Sequence, residues 1–350
     1  TVNRLIPQHH KLAGLTVKTS NLCSEITLPT GVDKDGRDRT AVCCLSSLNI
    51  EKYDEWKDDK NFIGDVMRFL DNVLTDFIER APDEFKDATY SALRERSVGL
   101  GVMGLHSFFQ QKMIPLESVM SKVWNKKIFE HIQKDVDKAS KDLAEERGAC
   151  PDAADYGIKE RFSNKTAIAP TASISIICGG TSPGVEPIAA NSFTHKTLSG
   201  SFNVRNRYLE KILEKYNKND NETWSSITTN EGSVSHLDFL TQQEKDVFKT
   251  AFELDQKWIV ELGADRTPHI SQAQSINIFV PADIHKKELH QIHFQAWKKG
   301  LKSLYYCRSK SIQRAENVND AKLTDVTANV YKSKNQQNEE KEYEECLSCQ

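Results

Sequence analysis

Short apolar runs alternate with long helix-periodic stretches along this chain, and that alternation restricts it to a mixed α/β fold. AVCCLSSLNI, at 41–50, reads as a buried strand. From Asn61 to Glu79, the residues Phe62, Ile63, Val66, Met67, Leu70, Val73, Leu74, Phe77 and Ile78 recur at helical spacing, and helical patterns continue with breaks to about Arg147. Residues 165–200 change character: the β-like runs TAIA and SISIIC are interrupted by Gly179, Gly180, Pro183 and Gly184, which marks loop-rich structure. Thr241 and Glu244 form a capping box that predicts a long helix through Val247, Phe248, Ala251 and Leu254. SINIFV and SLYY read as strands around a helical HQIHFQAWKKG. Between Lys332 and Glu345 the only aromatic or aliphatic residue is Tyr343, so burial there cannot offset the entropy of ordering and a flexible tail is expected.

Composition removes several classes. A length of 350 residues suggests about two domains and ample core, so stability need not rest on disulfides or metals. Eight cysteines are too few for a secreted disulfide scaffold. No apolar run approaches the roughly 18 residues of a membrane span, and TVNRLIPQHHKLAG lacks the apolar core of a signal peptide. With 47 basic against 50 acidic residues there is no global attraction to nucleic acid. The expectation is a cytoplasmic protein without nucleic-acid or membrane partners, whose cysteines are reduced thiols.

The motifs are weak one at a time. Gly99-Leu-Gly101-Val-Met-Gly104 has the spacing of a dinucleotide fingerprint, but ATYSALRER before it and the residues after it are helical in composition, so close helix packing through small residues is the better reading. Cys346 and Cys349 form a CxxC on the tail. No His lies beyond His293 to complete a zinc site, which leaves reversible disulfide chemistry or an incidental exposed pair. In an extended segment, Asn21, Cys23 and Glu25 would share one face and offer an amide, a thiol and a carboxylate together; a polar loop passing a buried cysteine would look the same. Of the adjacent Cys43 and Cys44, at most one can face Cys23. Pro170-Thr171-Ala172-Ser173-Ile174-Ser175 suits either a phosphate-binding turn or an ordinary Ser/Thr-rich one. The pair Tyr305-Tyr306, taken alone, reads as strand packing.

In combination they are specific. The order NLCSEI, AVCCLSS, PTASISI, a tyrosine pair after WKKGLKSL, and a terminal CLSC resembles the large (alpha) subunit of class I ribonucleotide reductase, in phage- or eukaryote-like form. RSVGLGVMGLH, GVEPIAANSFTHKTLSGSF and DRTPHISQAQSIN extend the resemblance over nearly the whole chain, which corresponds to about the C-terminal half of such a subunit. The resemblance implies that Cys23 is the thiyl radical that abstracts the ribose 3′-hydrogen, Glu25 the base on the 3′-hydroxyl, and Asn21 a hydrogen-bond partner of the substrate hydroxyls. Cys43 would be one of two reducing thiols, with Cys44 beside it an alternative for that role. Thr171, Ala172, Ser173 and Ile174 would line the diphosphate site, Tyr305 and Tyr306 would pass the radical to Cys23, and Cys346 and Cys349 would re-reduce the active-site disulfide.

The implied fold is the second half of a ten-stranded α/β barrel with its finger loop and additional helices over 1–315, followed by a flexible redox tail over 316–350. The implied reaction is reduction of ribonucleoside diphosphates to 2′-deoxyribonucleoside diphosphates; the competing possibility is an inactive or truncated piece that only docks partner subunits. No cofactor is expected on this chain. The radical cofactor, of di-metal/tyrosyl type, is expected in a small (beta) subunit, and the nucleotide effectors and second reducing thiol on an N-terminal half, which a split gene would supply in trans unless the sequence is a truncated record. Thioredoxin or glutaredoxin is the expected reductant, and the setting is cytoplasm, or host cytoplasm for a phage-encoded chain.

Overall fold

Two short strands, β1 (Gly31–Val32) and β2 (Asp38–Arg39), form an antiparallel hairpin ahead of the core. The core itself is parallel. Strand β3 (Leu45–Asn49) pairs in register with β4 (Gly99–Met103), whose Leu100 bridges Thr166 on the next extended segment. Ile168 on that segment bridges Gln274 on a further one. A separate antiparallel hairpin, β5 (Ser192–Thr197) with β6 (Gly200–Arg205), intervenes in sequence. The Gln274 segment continues into β7 (Ile278–Val280), which pairs in parallel with β8 (Cys307–Ser309). Five parallel segments therefore lie side by side, in the order β3, β4, 165–169, 273–280 and β8. The computed structural model describes residues 2–197 and 200–310, so the tail that carries Cys346 and Cys349 lies outside the described residues.

The two faces of this sheet differ. On the outer face, Leu48, Leu100, Val102 and Ile168 pack against the helices Phe62–Arg80 and Val119–Arg147 through Ile63, Met67, Leu70, Leu74, Ile128, Phe129, Ile132 and Val136. Against the inner face lie Ile26 and Leu28, which meet Ala167 and Leu45. The space between the strands needs glycine: a Cβ on Gly99 would collide with Leu45 and Ala167, and one on Gly101 with the Ala167 carbonyl. GLGVM is thus a fully buried central strand rather than helix packing. Glycine serves here by leaving room for the side chain and backbone of the neighbouring strand segments.

Asp71 ties the outer helices to the strands. Its fully buried carboxylate accepts from Arg96 at 2.6 Å, Arg147 at 2.9 Å and Arg161 at 2.9 Å. Arg96 precedes β4 and Arg161 precedes the 165–169 segment, so this one carboxylate sets the entry of two core strands.

Three local expectations change. SISIIC is not strand: Ser175 N–H donates to the Thr171 carbonyl and a one-turn helix, Ile174–Ile177, follows. The capping box at Thr241 and Glu244 is present, but its helix stops at Val247. Ala251 N–H turns to the Ile188 carbonyl, and Asp255 caps a new helix, Gln256–Arg266. Phe248, Ala251 and Leu254 stay buried across that break, so apolar spacing reported burial there and not helix continuity. SLYY is irregular, and the strand begins one residue beyond it, at Cys307.

Candidate active site

The inner loop positions the first three candidates. Residues 21–24 form a tight turn instead of an extended strand: Ser24 N–H donates to the Asn21 carbonyl, and Ser24 takes φ +66°. A non-glycine residue in that region costs roughly 1–2 kcal/mol, so surrounding contacts must hold it. They do. Ser24 Oγ donates to the Leu304 carbonyl at 3.2 Å, and Ser303 Oγ donates to the Ser24 carbonyl at 2.9 Å. Cys23, at the turn, is 1% exposed.

Glu25 is completely buried. Burial raises its pKa, and hydrogen bonding by its own backbone, Ser275 and Asn21 offsets only part of the rise. Asn21 Oδ1 accepts from Ile26 N–H at 3.0 Å, which fixes the amide so that Nδ2 is the free donor. Asn21 Nδ2 and Glu25 Oε1 are both buried with no partner at hydrogen-bond distance among the described residues, although the amide lies near enough to temper the carboxyl. A buried donor and acceptor left open side by side cost free energy unless a ligand completes them. They are suited to a hydroxyl.

The tyrosine pair also reaches Cys23. Their rings lie 3.9 Å apart at 31°, and the Tyr305 hydroxyl is within hydrogen-bonding reach of both Tyr306 and the Cys23 thiol. Burial first, then Tyr306, then Cys23 push the Tyr305 pKa upward, so the phenol stays protonated. Tyr306 is 42% exposed. Surface and buried thiol are thereby joined through two phenols. Backbone bonds set the spacing: Tyr305 N–H donates to the Ile276 carbonyl at 2.8 Å and Tyr306 N–H to Asn277 Oδ1 at 3.0 Å.

Cys43 and Cys44 point to different environments. Cys44 is buried in the helix-facing core, its thiol near the Leu70 carbonyl at 3.9 Å, and burial pushes its pKa up to about 11. Cys43 is exposed. The Thr171–Ile174 turn sits just beyond the 165–169 segment, beside the strand that holds Glu25 through Ala273 N–H and the Glu25 carbonyl. Thr171 is turned inward at φ +54°, and its Oγ1 accepts from Gly184 N–H at 2.7 Å. Ala172, Ser173 and Ile174 are exposed.

Sequence reasoning passed over the strand opposite the loop. Gln272 Oε1 accepts from Thr27 N–H, Ser275 Oγ reaches Glu25 Oε2 at 2.9 Å, and Asn277 Nδ2 donates to the buried Glu186 carboxylate. Lys302, largely buried, donates to the carbonyls of Ile270, Ser271 and Gln272, where this strand starts. The available signal was QAQSINIF itself: polar residues inside an otherwise apolar strand must have buried partners.

Five parallel strand segments covered on one face by helices and on the other by a thiol-bearing loop define an α/β protein with its reactive groups on the inner face of the sheet, an arrangement that fits part of an α/β barrel. Comparison with known proteins narrows this. The model of the family "Ribonucleotide reductase, barrel domain" matches residues 1–160 and 152–307. The chain belongs to that family, as ribonucleotide reductase large-subunit barrel sequence. It is 49% identical over 338 residues to the ribonucleoside-diphosphate reductase large subunit of Invertebrate iridescent virus 6, covering 92% of this chain and 34% of that protein. It is 45% identical to the large subunit of Invertebrate iridescent virus 3, covering 93% and 51%. The solved structure of the Actinobacillus ureae class Id ribonucleotide reductase alpha subunit superposes with a TM-score of 0.81 at 38% identity, covering 89% of this chain and 56% of that one. The chain thus spans between about a third and just over half of the length of these relatives. Among the described residues no helix is long and apolar enough to cross a membrane.

Proposed function

We propose that this chain carries the radical-thiol half of a ribonucleoside-diphosphate reductase large subunit. The observation that supports it most is the continuous path from half-exposed Tyr306 through Tyr305 to the buried Cys23. Packing alone asks for no hydroxyl-to-thiol contact at the end of a tyrosine pair. Abstracting an unactivated C3′ hydrogen lies beyond any side-chain base, so a sulfur radical generated through oxidisable neighbours is the chemistry such a path suits.

In this reading the Cys23 sulfur takes the 3′-hydrogen atom and Glu25 takes the proton of the 3′-hydroxyl, with Asn21 Nδ2 holding the substrate hydroxyls. The 2′-hydroxyl leaves as water. Cys43 and a second thiol beyond this chain supply two electrons and two protons, one proton leaving in the water and the other ending as the new hydrogen at C2′, and become a disulfide; Cys23 then returns its hydrogen to C3′ and Glu25 its proton to the 3′-oxygen. Cys44, facing the helices, is left as a packing residue. Thr171, Ala172, Ser173 and Ile174 receive the diphosphate through backbone and hydroxyl donors. Cys346 and Cys349 reduce the new disulfide and are themselves reduced by thioredoxin or glutaredoxin. The working enzyme would also include an N-terminal barrel half bearing the effector sites and a small subunit whose cofactor would supply the oxidising equivalent, with half-exposed Tyr306 as the residue of this chain placed to receive it.

Tyr306→Phe tests this in the reconstituted complex, because it removes only the oxidisable hydroxyl. Nucleoside-diphosphate binding is expected to persist while turnover disappears. Sustained turnover, or loss of binding together with turnover, would overturn the relay.

A further inference from the structure

Ser275 presents a hydrogen-bond count that does not close with an ionised Glu25. Its Oγ is within hydrogen-bond distance of two acceptors, the Cys23 carbonyl and Glu25 Oε2, and it has one hydrogen to give. The surrounding backbone is already committed: Ser275 N–H donates to the Ile168 carbonyl and Ala273 N–H to the Glu25 carbonyl, each at 2.9 Å. Ser275 is 4% exposed, which leaves the direction of its hydroxyl as the adjustable element.

We infer that Ser275 is a positioning residue that couples the protonation of Glu25 to the backbone carrying Cys23. A peptide carbonyl only accepts, so both contacts are satisfied together when Glu25 is the neutral acid. Glu25 Oε2–H then donates to Ser275 Oγ, and Ser275 O–H donates to the Cys23 carbonyl. When Glu25 loses its proton, the single Ser275 hydrogen turns to Oε2 and the Cys23 carbonyl loses its donor. No electrons move. The one proton exchanged passes between Glu25 and a ligand hydroxyl, or the buffer when no ligand is bound. A base that collects a proton would in this way re-form a bond to the turn that presents the thiol. The Tyr305 phenol, which reaches the Cys23 thiol, stays protonated, and no charged side chain is among the influences on Glu25.

This inference rests on Glu25 acting as the base, but its test needs no turnover. In the full 350-residue chain, the carboxylic-acid band of Glu25 is titrated by infrared difference spectroscopy. Subtraction of Glu25→Gln isolates it from Glu95 and Glu186, which are also buried carboxyls with raised pKa values. Ser275→Ala removes the donor that stabilises the carboxylate, so the midpoint should move up by about 1–2 pH units. Ser275→Cys, a weaker donor of similar size, should move it the same way, and Ser275→Thr should restore it. With carbonyl-¹³C cysteine, a cysteine carbonyl band should shift along the Glu25 titration in the wild type and stay still in Ser275→Ala. An unchanged midpoint in both the Ala and Cys variants, or a carbonyl shift that persists without the hydroxyl, would overturn the coupling. Intact coupling in an enzyme that makes no product would instead refute the reductase reading alone.

Discussion

Replacing Asp71 with Asn removes one negative charge from the centre of three guanidinium groups and changes little else. The Asp71 carboxylate is fully buried, and the side chains of Arg96, Arg161 and Arg147 are 6%, 12% and 29% exposed. Burial pulls the Arg96 pKa down even with Asp71 beside it, so Arg96 suffers most from the loss. Breaking a buried pair from one side costs about 3–5 kcal/mol, because the remaining charge stays desolvated. At roughly 2 °C per kcal/mol for a chain of this size, the thermal midpoint at pH 7 should fall by about 6–10 °C. Circular dichroism melting of wild type and Asp71→Asn measures this directly. Asp76→Asn, which breaks the solvated Arg80–Asp76 pair, is the control and should barely move the midpoint. The pH dependence adds a sign. Burial alone would raise the Asp71 pKa, but hydrogen bonds from Arg161 and Arg96 and their charge bring it below the usual carboxylate value of about 3.9. Its contribution is therefore complete above that value and lost as pH falls through the lower folded one, so the gap between wild type and variant should close under acid conditions. Equal, small shifts for both variants at pH 7 would refute the reasoning.

Three further outcomes follow from the cysteines. Cys43→Ser should abolish sustained product formation with the melting temperature little changed. Cys44→Ala should do the reverse, with turnover kept and stability lowered by about 1 kcal/mol, as turnover and melting assays on both variants will show. Cys349→Ser should stop thioredoxin-supported turnover yet leave one round of product from pre-reduced enzyme, measured by rapid quench; a normal steady state would refute the shuttle role.

What the sequence discloses depends on whether a feature is local. The Phe62–Arg80 helix is legible because its apolar spacing is regular over five turns and faces one core. The Thr241 cap is legible because both of its partners lie within three residues. Strand GLGVM is not, since its glycines answer to Leu45 and Ala167, remote in sequence. The same holds at the site. Cys23, Glu25 and the tyrosine pair stand out as residue types in a familiar order, but the turn at Ser24 depends on Ser303 and Leu304, some 280 residues away. Ser275 is an unremarkable strand serine until Glu25 is folded against it. Cys43 and Cys44 precede the strand expected to hold them, which begins at Leu45, and it is the fold that shows Cys44 buried toward the helices and Cys43 exposed.

Hydrogen abstraction by Cys23 is the step on which the proposed reductase function stands. The chain, mixed with an N-terminal barrel half and a small subunit, is assayed for deoxyribonucleoside diphosphate from ribonucleoside diphosphate, with wild type and Cys23→Ala in parallel. Product from the wild-type mixture and none from Cys23→Ala, with equal substrate binding by both, is the predicted result. Deoxynucleotide formation that survives Cys23→Ala would contradict it.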